Sequence, residues 1–173
     1  LTNSFERLRY YPDSPLLPHV RTDVVKYLNN RPNLYLNNMQ LDKMIKISNG
    51  HYLKFSAGMY EMMFGGYGGE YLWKPFTSNF SIGVNYYQVK QRNFEQRLGF
   101  GNYKTSTGHA NFIYFHPDSG LTLDLNIGKY LAGDKGFTFD FSRRFKSGFK
   151  MGAYSTRTNI SKVEYGEGSF DKG

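Results

Sequence analysis

Apolar and polar residues alternate with a period of two along much of this chain. Between positions 51 and 63, Leu53, Phe55, Ala57 and Met59 fall on one side, while Lys54, Ser56 and Gly58 fall on the other. Phe80, Ile82, Val84 and Tyr86 oppose Ser81, Gly83, Asn85 and Tyr87 in the same way. Over 121–130, Leu121, Leu123, Leu125 and Ile127 alternate with Thr122, Asp124, Asn126 and Gly128, and Phe137, Phe139 and Phe141 alternate with Thr138, Asp140 and Ser142. No long window repeats its apolar residues at i, i+3 and i+4, so an amphipathic helix is not the repeating unit. The pattern predicts an all-β, antiparallel up-and-down meander with one apolar face and one small, polar face.

Turn chemistry divides the strands. Hairpins are expected at 75–79, 116–120 and 145–148, where Pro, Asn, Asp, Ser and Gly cluster. The longer stretches 91–103 and 131–136 would lie at the opposite end, an asymmetry typical of outer-membrane barrels. Before residue 34, Pro12, Pro15, Pro18 and Pro32 interrupt any long element, and 20–28 is the one stretch able to form a short helix or strand. The expected organisation is therefore an irregular N-terminal segment or linker over 1–33 and an antiparallel β-barrel region over 34–173. A start at Leu1 without an export signal, and a turn-like ending over 166–173, read as a fragment of a longer chain.

Composition refines this picture. Hydrophobic residues make up 39% of the 173, yet mean hydropathy is −0.58 and no apolar run reaches the ~18 residues of a membrane helix. Membrane strands escape that test, because their lumen-facing residues are polar. Aromatics reach 18%, and the 19 glycines suit strands and tight turns. A soluble β-sandwich would alternate too. The identity of the polar face favours the barrel: Ser56, Gly58, Gly83, Asn126, Gly128, Thr138 and Gly152 are small or neutral, unlike a charged soluble surface. Tyr71, Trp73, Phe76, Tyr86, Phe115 and Tyr154, near predicted strand ends, would form interfacial girdles. With no Cys, neither disulfides nor thiolate metal sites are available.

Several segments carry a family resemblance. Met63-Phe64-Gly65-Gly66-Tyr67-Gly68-Gly69-Glu70-Tyr71-Leu72-Trp73-Lys74-Pro75-Phe76 is followed by Val89-Lys90-Gln91-Arg92-Asn93-Phe94, then by Gly128-Lys129-Tyr130-Leu131-Ala132-Gly133-Asp134-Lys135-Gly136. Phe141-Ser142-Arg143-Arg144-Phe145 and Gly166-Glu167-Gly168-Ser169-Phe170-Asp171-Lys172-Gly173 complete the series, with Leu17-Pro18-His19-Val20-Arg21-Thr22-Asp23 upstream. In order and spacing they resemble the C-terminal part of the YjbH-like family, outer-membrane lipoproteins associated with exopolysaccharide and capsule export. The resemblance implies a β-barrel in the bacterial outer membrane that works beside polysaccharide synthesis and export components. It brings no catalytic motif, and the family's lipid-anchoring Cys has no counterpart in these residues.

Candidate chemistry is sparse. Glu61, Glu70, Asp124, Asp134 and Asp140 could pair for acid–base cleavage of a sugar. The more economical reading makes Asp124, Asp140 and Lys150 lumen charges, the two aspartates bonded to basic neighbours such as Lys129, Arg144 or Lys150, and gives Asp134 a loop-shaping role beside Gly133 and Gly136. His19, His51, His109 and His116 lack metal-ligand spacing, so no metal or other cofactor is expected. Gly65-Gly66-Tyr67-Gly68-Gly69 lacks the strand-and-helix frame of a phosphate cradle and reads as a bend or turn in a barrel strand. A net charge of +8 is dispersed along the chain, with Arg143 and Arg144 the one adjacent basic pair of the strand region, which argues against nucleic acid. It suits a basic-leaning lumen and contact with lipopolysaccharide or an acidic exopolysaccharide. Tyr60, Tyr67, Tyr87 and Tyr130, with Lys129 and Arg144, are the glycan-binding candidates, since rings cover sugar C–H faces while polar groups meet the hydroxyls.

These readings converge on a non-enzymatic outer-membrane barrel assisting exopolysaccharide secretion or surface assembly, with membrane lipid, the glycan and export proteins as partners. A plugged, adhesin-like surface barrel is the first alternative. A soluble periplasmic glycan-modifying enzyme is the second.

Overall fold

The computed structural model describes residues 23–159. One short helix, α1 (Val24–Asn29), precedes eight strands: β1 (Met39–Ser48), β2 (His51–Met59), β3 (Phe64–Trp73), β4 (Phe80–Arg92), β5 (Phe100–His116), β6 (Leu121–Lys129), β7 (Lys135–Arg144) and β8 (Lys150–Thr158). They form a single antiparallel sheet in the order β1 to β8, the predicted meander. Within the described residues β1 and β8 are its two edges and do not touch, so these strands alone make an open sheet rather than a closed barrel. The expectation for 166–173, and most of the irregular stretch 1–33, lies outside the described residues.

Every alternation read from the sequence is realised in the register. One transverse row runs Leu53, Tyr71, Val84, Ala110, Ile127, Phe137; the adjacent row on the other face runs Lys54, Glu70, Asn85, His109, Gly128, Gly136. The hairpins close where Pro and Gly predicted them, with Ser78 N–H donating to Pro75 O (3.2 Å), Gly120 N–H to His116 O (2.9 Å) and Gly148 N–H to Phe145 O (2.9 Å). The strand expected to run to 63 stops at Met59, and residues 60–63 turn across the sheet end. The loops at that end, 93–99 and 130–134, are shorter than predicted, because β4, β5 and β7 extend into them. The five-residue glycine-rich run lies in a strand as expected, but without a bend or turn: it stays in register between β2 and β4. A Cβ on Gly68 would stand 2.3 Å from the Tyr86 carbonyl oxygen and 2.4 Å from the Tyr87 ring, so the close neighbouring backbone and the ring over it together require glycine.

The polar face is concave. Residues of β1 through the β6–β7 loop line one cavity of about 570 Å³, whereas six flat strands at ~4.8 Å spacing would spread over ~24 Å. One end of this hollow is filled by the buried cluster Tyr27, Met63, Phe64, Val89 and Ala132, with Val24 of α1 packed against it. At six residues α1 would not persist alone, and burial of Tyr27 in this cluster holds it. The apolar face lacks any such cover: Phe55, Val84, Phe112, Ile127 and Phe139 are exposed, Phe139 by 42%.

Candidate functional site

The cavity opens on the concave face beside the filled end. Alternation in β2 and β3 aims Lys54, Ser56 and Glu70 into it; β4 and β5 add Tyr87, Thr107 and His109; the loops after β2 and β6 add Tyr60, Glu61 and Tyr130. Lys54 Nζ lies 3.1 Å from a Glu70 carboxylate oxygen, and the Tyr87 hydroxyl donates to that same oxygen. Both groups hold the carboxylate oxygen as an acceptor in a fixed position. Tyr60 packs edge-on to Tyr87 with centroids 5.5 Å apart and donates its hydroxyl to Ser56 O (3.0 Å). On the far wall His109 meets Tyr130 edge-on at 4.7 Å, and the Tyr130 hydroxyl lies 2.6 Å from Thr138 Oγ1. Beneath this wall Asp134 is buried, and among the described residues neither its carboxylate oxygens nor His109 Nε2 has a hydrogen-bond partner. The backbone carbonyl of Asp134 closes the loop by accepting from Tyr130 N–H (2.8 Å).

Beyond the cavity the concave face carries a ladder of amides and hydroxyls. Asn85 donates to Asn111 (3.2 Å), Asn111 to Asn126, and Thr138 bonds Thr156 (2.8 Å). This row runs across β4 to β8 as a wet, hydrogen-bonding surface.

Three of the four tyrosines proposed for glycan contact, Tyr60, Tyr87 and Tyr130, line the cavity together. Tyr67 does not, because its register partners Ala57 and Gln88 put it on the apolar face, 61% exposed. Lys129 is on the apolar face as well, with Nζ 3.2 Å from Ser106 Oγ. Arg144 is on the polar face at the far end of the sheet, opposite Lys150. Asp124 and Asp140 also face the polar side, but as register partners of each other; Asp124 accepts from Asn126 (2.8 Å), and among the described residues neither pairs with Lys129, Arg144 or Lys150. The polar face carries both signs, with Asp42, Glu70, Asp124 and Asp140 beside Lys46, Lys54, Arg144 and Lys150, so it is not basic-leaning. Of the proposed girdle, Tyr71, Trp73 and Tyr86 are on the apolar face, Phe76 is in a turn, and Phe115 and Tyr154 fall on the polar face by register.

Sequence reasoning missed Arg92. Its guanidinium, 1% exposed, donates to the carbonyls of Leu36 (2.6 Å), Asn37 (3.1 Å), Glu61 (2.7 Å), Gln96 (3.1 Å) and Arg97 (3.3 Å). Its own carbonyl accepts from the Tyr27 hydroxyl. One side chain therefore ties three chain segments over the filled end and fixes Glu61 at the cavity's rim.

A family model described as exopolysaccharide biosynthesis protein YbjH matches residues 1–173. A protein of Escherichia coli (strain K12) named uncharacterized lipoprotein YjbH is 39% identical over 180 residues, a match covering 100% of this chain and 25% of that protein. The match falls on its C-terminal part, so the chain spans about a quarter of the length of the curated relative. No solved structure matches. With a family model matched along its whole length and that identity to a curated member, the chain belongs to the YjbH family of exopolysaccharide biosynthesis proteins.

Proposed function

We propose that this sheet is part of an outer-membrane β-barrel that assists exopolysaccharide secretion or surface assembly without catalysing a reaction. The observation that carries the reading is the two-sidedness of the sheet. An apolar face exposed across eight strands, with no carboxylate on it, backs onto a concave face of amides, hydroxyls and paired charges. In water that face is costly at ~25 cal/mol per Å² of apolar surface; against lipid it is not. The dimensions agree. From Phe80 to Lys90, β4 rises ~34 Å, which at the ~45° tilt usual in barrels spans ~24 Å of membrane, close to the ~25 Å apolar band of such proteins. At the turn end, His51, Trp73, Phe80 and Phe112 make successive ring contacts at 6.3, 5.6 and 6.2 Å, a suitable interfacial girdle. Further strands of the same protein would pair β1 and β8, whose long edges carry no proline.

The cavity would hold a sugar unit. The Tyr60, Tyr87 and Tyr130 rings offer apolar faces, and Glu70, Lys54, Thr107 and His109 offer hydrogen bonds to hydroxyls. Glu70 is committed to Lys54 and Tyr87 rather than to a second carboxylate, which suits binding better than acid–base cleavage.

Fractionation of the full-length protein from a Gram-negative cell tests this. Recovery in the outer membrane, release by detergent and heat-dependent gel migration are expected, with less secreted polysaccharide when Tyr87 and Tyr130 are both changed to Ala. A freely soluble periplasmic protein would overturn the reading. The filled end with α1 favours a second reading, a plugged surface barrel that only anchors. In that case the Tyr87→Ala, Tyr130→Ala variant would secrete polysaccharide normally.

A further inference from the structure

Basic residues that look dispersed in the sequence are gathered by the register. Lys90 faces Lys104 directly across β4 and β5, and Lys129 faces Lys135 directly across β6 and β7. Arg157, opposite Phe137, lies next to the second pair on the same face. All five sit on the apolar face at one end of the sheet, the end where α1 packs. Every carboxylate in the eight strands, Asp42, Glu70, Asp124 and Asp140, is on the opposite face. Among the described residues none of the five cations has an acidic partner. Like charges directly opposite in a sheet destabilise it, so two such pairs at one end of the same face, in rows four residues apart along β5, call for an anion from outside. The row next to Lys129 and Lys135 toward the middle of the sheet is apolar, Val84, Ala110, Ile127 and Phe137, whereas Tyr67, Gln88 and Ser106 lie next to Lys90 and Lys104.

We infer that Lys90, Lys104, Lys129, Lys135 and Arg157 form a belt that binds the phosphate groups of anionic membrane lipid. The inference rests on the membrane reading above and fixes what one edge of the apolar band touches. Long basic side chains at that boundary keep their stems on the apolar surface while their heads reach headgroup phosphates. A free anion would use the cations but not the adjoining apolar row; a lipid uses both.

The test is lipid retention by the full-length protein in detergent, measured by native mass spectrometry with phosphatidylglycerol and phosphatidylcholine offered together. The wild-type protein is expected to retain phosphatidylglycerol preferentially, by about fivefold per basic residue engaged. The quadruple variant K90Q/K104Q/K129Q/K135Q should lose that preference, and the charge-keeping Lys→Arg counterpart should restore it. A K46Q/K150Q variant, altered on the concave face, should retain lipid as wild type does. Unchanged heat-dependent migration of the glutamine variant separates loss of the belt from loss of the fold. Equal retention of both lipids by the wild-type protein would overturn the belt while leaving the membrane reading intact. Full displacement of phosphatidylglycerol by an equal concentration of inorganic phosphate would also overturn it, because the site would then read a free anion. A soluble full-length protein would instead remove the membrane reading on which the belt rests.

Discussion

Arg92 shows how much one buried cation can organise. Its guanidinium meets five backbone carbonyls from three segments, and each charge-assisted bond of this kind contributes roughly 1.5–3 kcal/mol when its partners are buried. These terms do not add fully, yet Arg92→Met removes the donors and leaves the carbonyls dry. A loss of at least ~3 kcal/mol is expected, read as a lower denaturant midpoint for unfolding in detergent. Tyr27 gives a pH signature at the same place. Burial, reinforced by Asp23, pushes its hydroxyl well above the ordinary tyrosine value. Its contribution to stability is therefore complete below the unfolded-state value of ~10 and declines as pH rises past it toward the folded-state value. Midpoints measured between pH ~9 and ~11 should fall in the wild-type protein and fall less in Tyr27→Phe, which carries no ionisable hydroxyl. The sequence could not announce either residue. Arg92 stands beside Lys90 and Gln91 as one more polar residue at a strand end, and only the segments folding over it reveal its burial. Tyr87 was legible because alternation in β4 puts it on the polar face, whereas Tyr60 and Tyr130 reach the cavity from loops just past strand ends and Tyr67 sits among glycines that hide its alternation.

Elements were legible where alternation was uninterrupted. β2, β4, β6 and β7 have clean two-faced patterns, and their faces were assigned correctly down to single residues. β1 was harder, because Lys43 breaks the apolar side and Met44 breaks the polar one. Its better signal was the Asn49-Gly50 dipeptide, a strong hairpin cue, where Gly50 adopts φ +82°. β3 was obscured by its glycines, which suggested a bend or turn, whereas Gly66 admits the Gln88 backbone and Gly68 the Tyr86 carbonyl and the Tyr87 ring. Gly68→Ala tests that account. The added methyl would collide with the Tyr86 carbonyl and the Tyr87 ring, shifting β4 and displacing the ring from Glu70, and a cost of about 1–3 kcal/mol is expected with loss of the cavity's shape. Thermal unfolding reads the first effect. Glycan binding, compared with a Gly69→Ala control whose Cβ meets nothing closer than 3.2 Å, reads the second.

At the scale of the whole molecule, the meander, its order and its two-sidedness follow from the sequence, but closure does not, because a period of two repeats identically in an open sheet and a barrel. The open edges decide what remains. In β1, successive backbone N–H groups point alternately toward β2 and away from it. If further strands of the full-length protein pair with β1 and β8, both sets of amides are hydrogen-bonded. If the edges are bare, every second amide faces outward without a strand partner. Hydrogen exchange on the full-length protein in detergent separates these states residue by residue. Continuous protection from Met39 to Ser48 and from Lys150 to Thr158 is expected, since ten- and nine-residue edges free of proline are otherwise open templates for association. Protection that alternates along either strand would mean a bare edge and would remove the larger barrel. The position of Lys43 sharpens the comparison: on the lipid face near mid-membrane a lysine costs about 2–4 kcal/mol, so this strand is expected to lie against further protein rather than lipid. A neighbouring strand on β1 would satisfy its outward amides, so fast exchange there would count against that strand, whereas Lys43 needs protein over the sheet face itself.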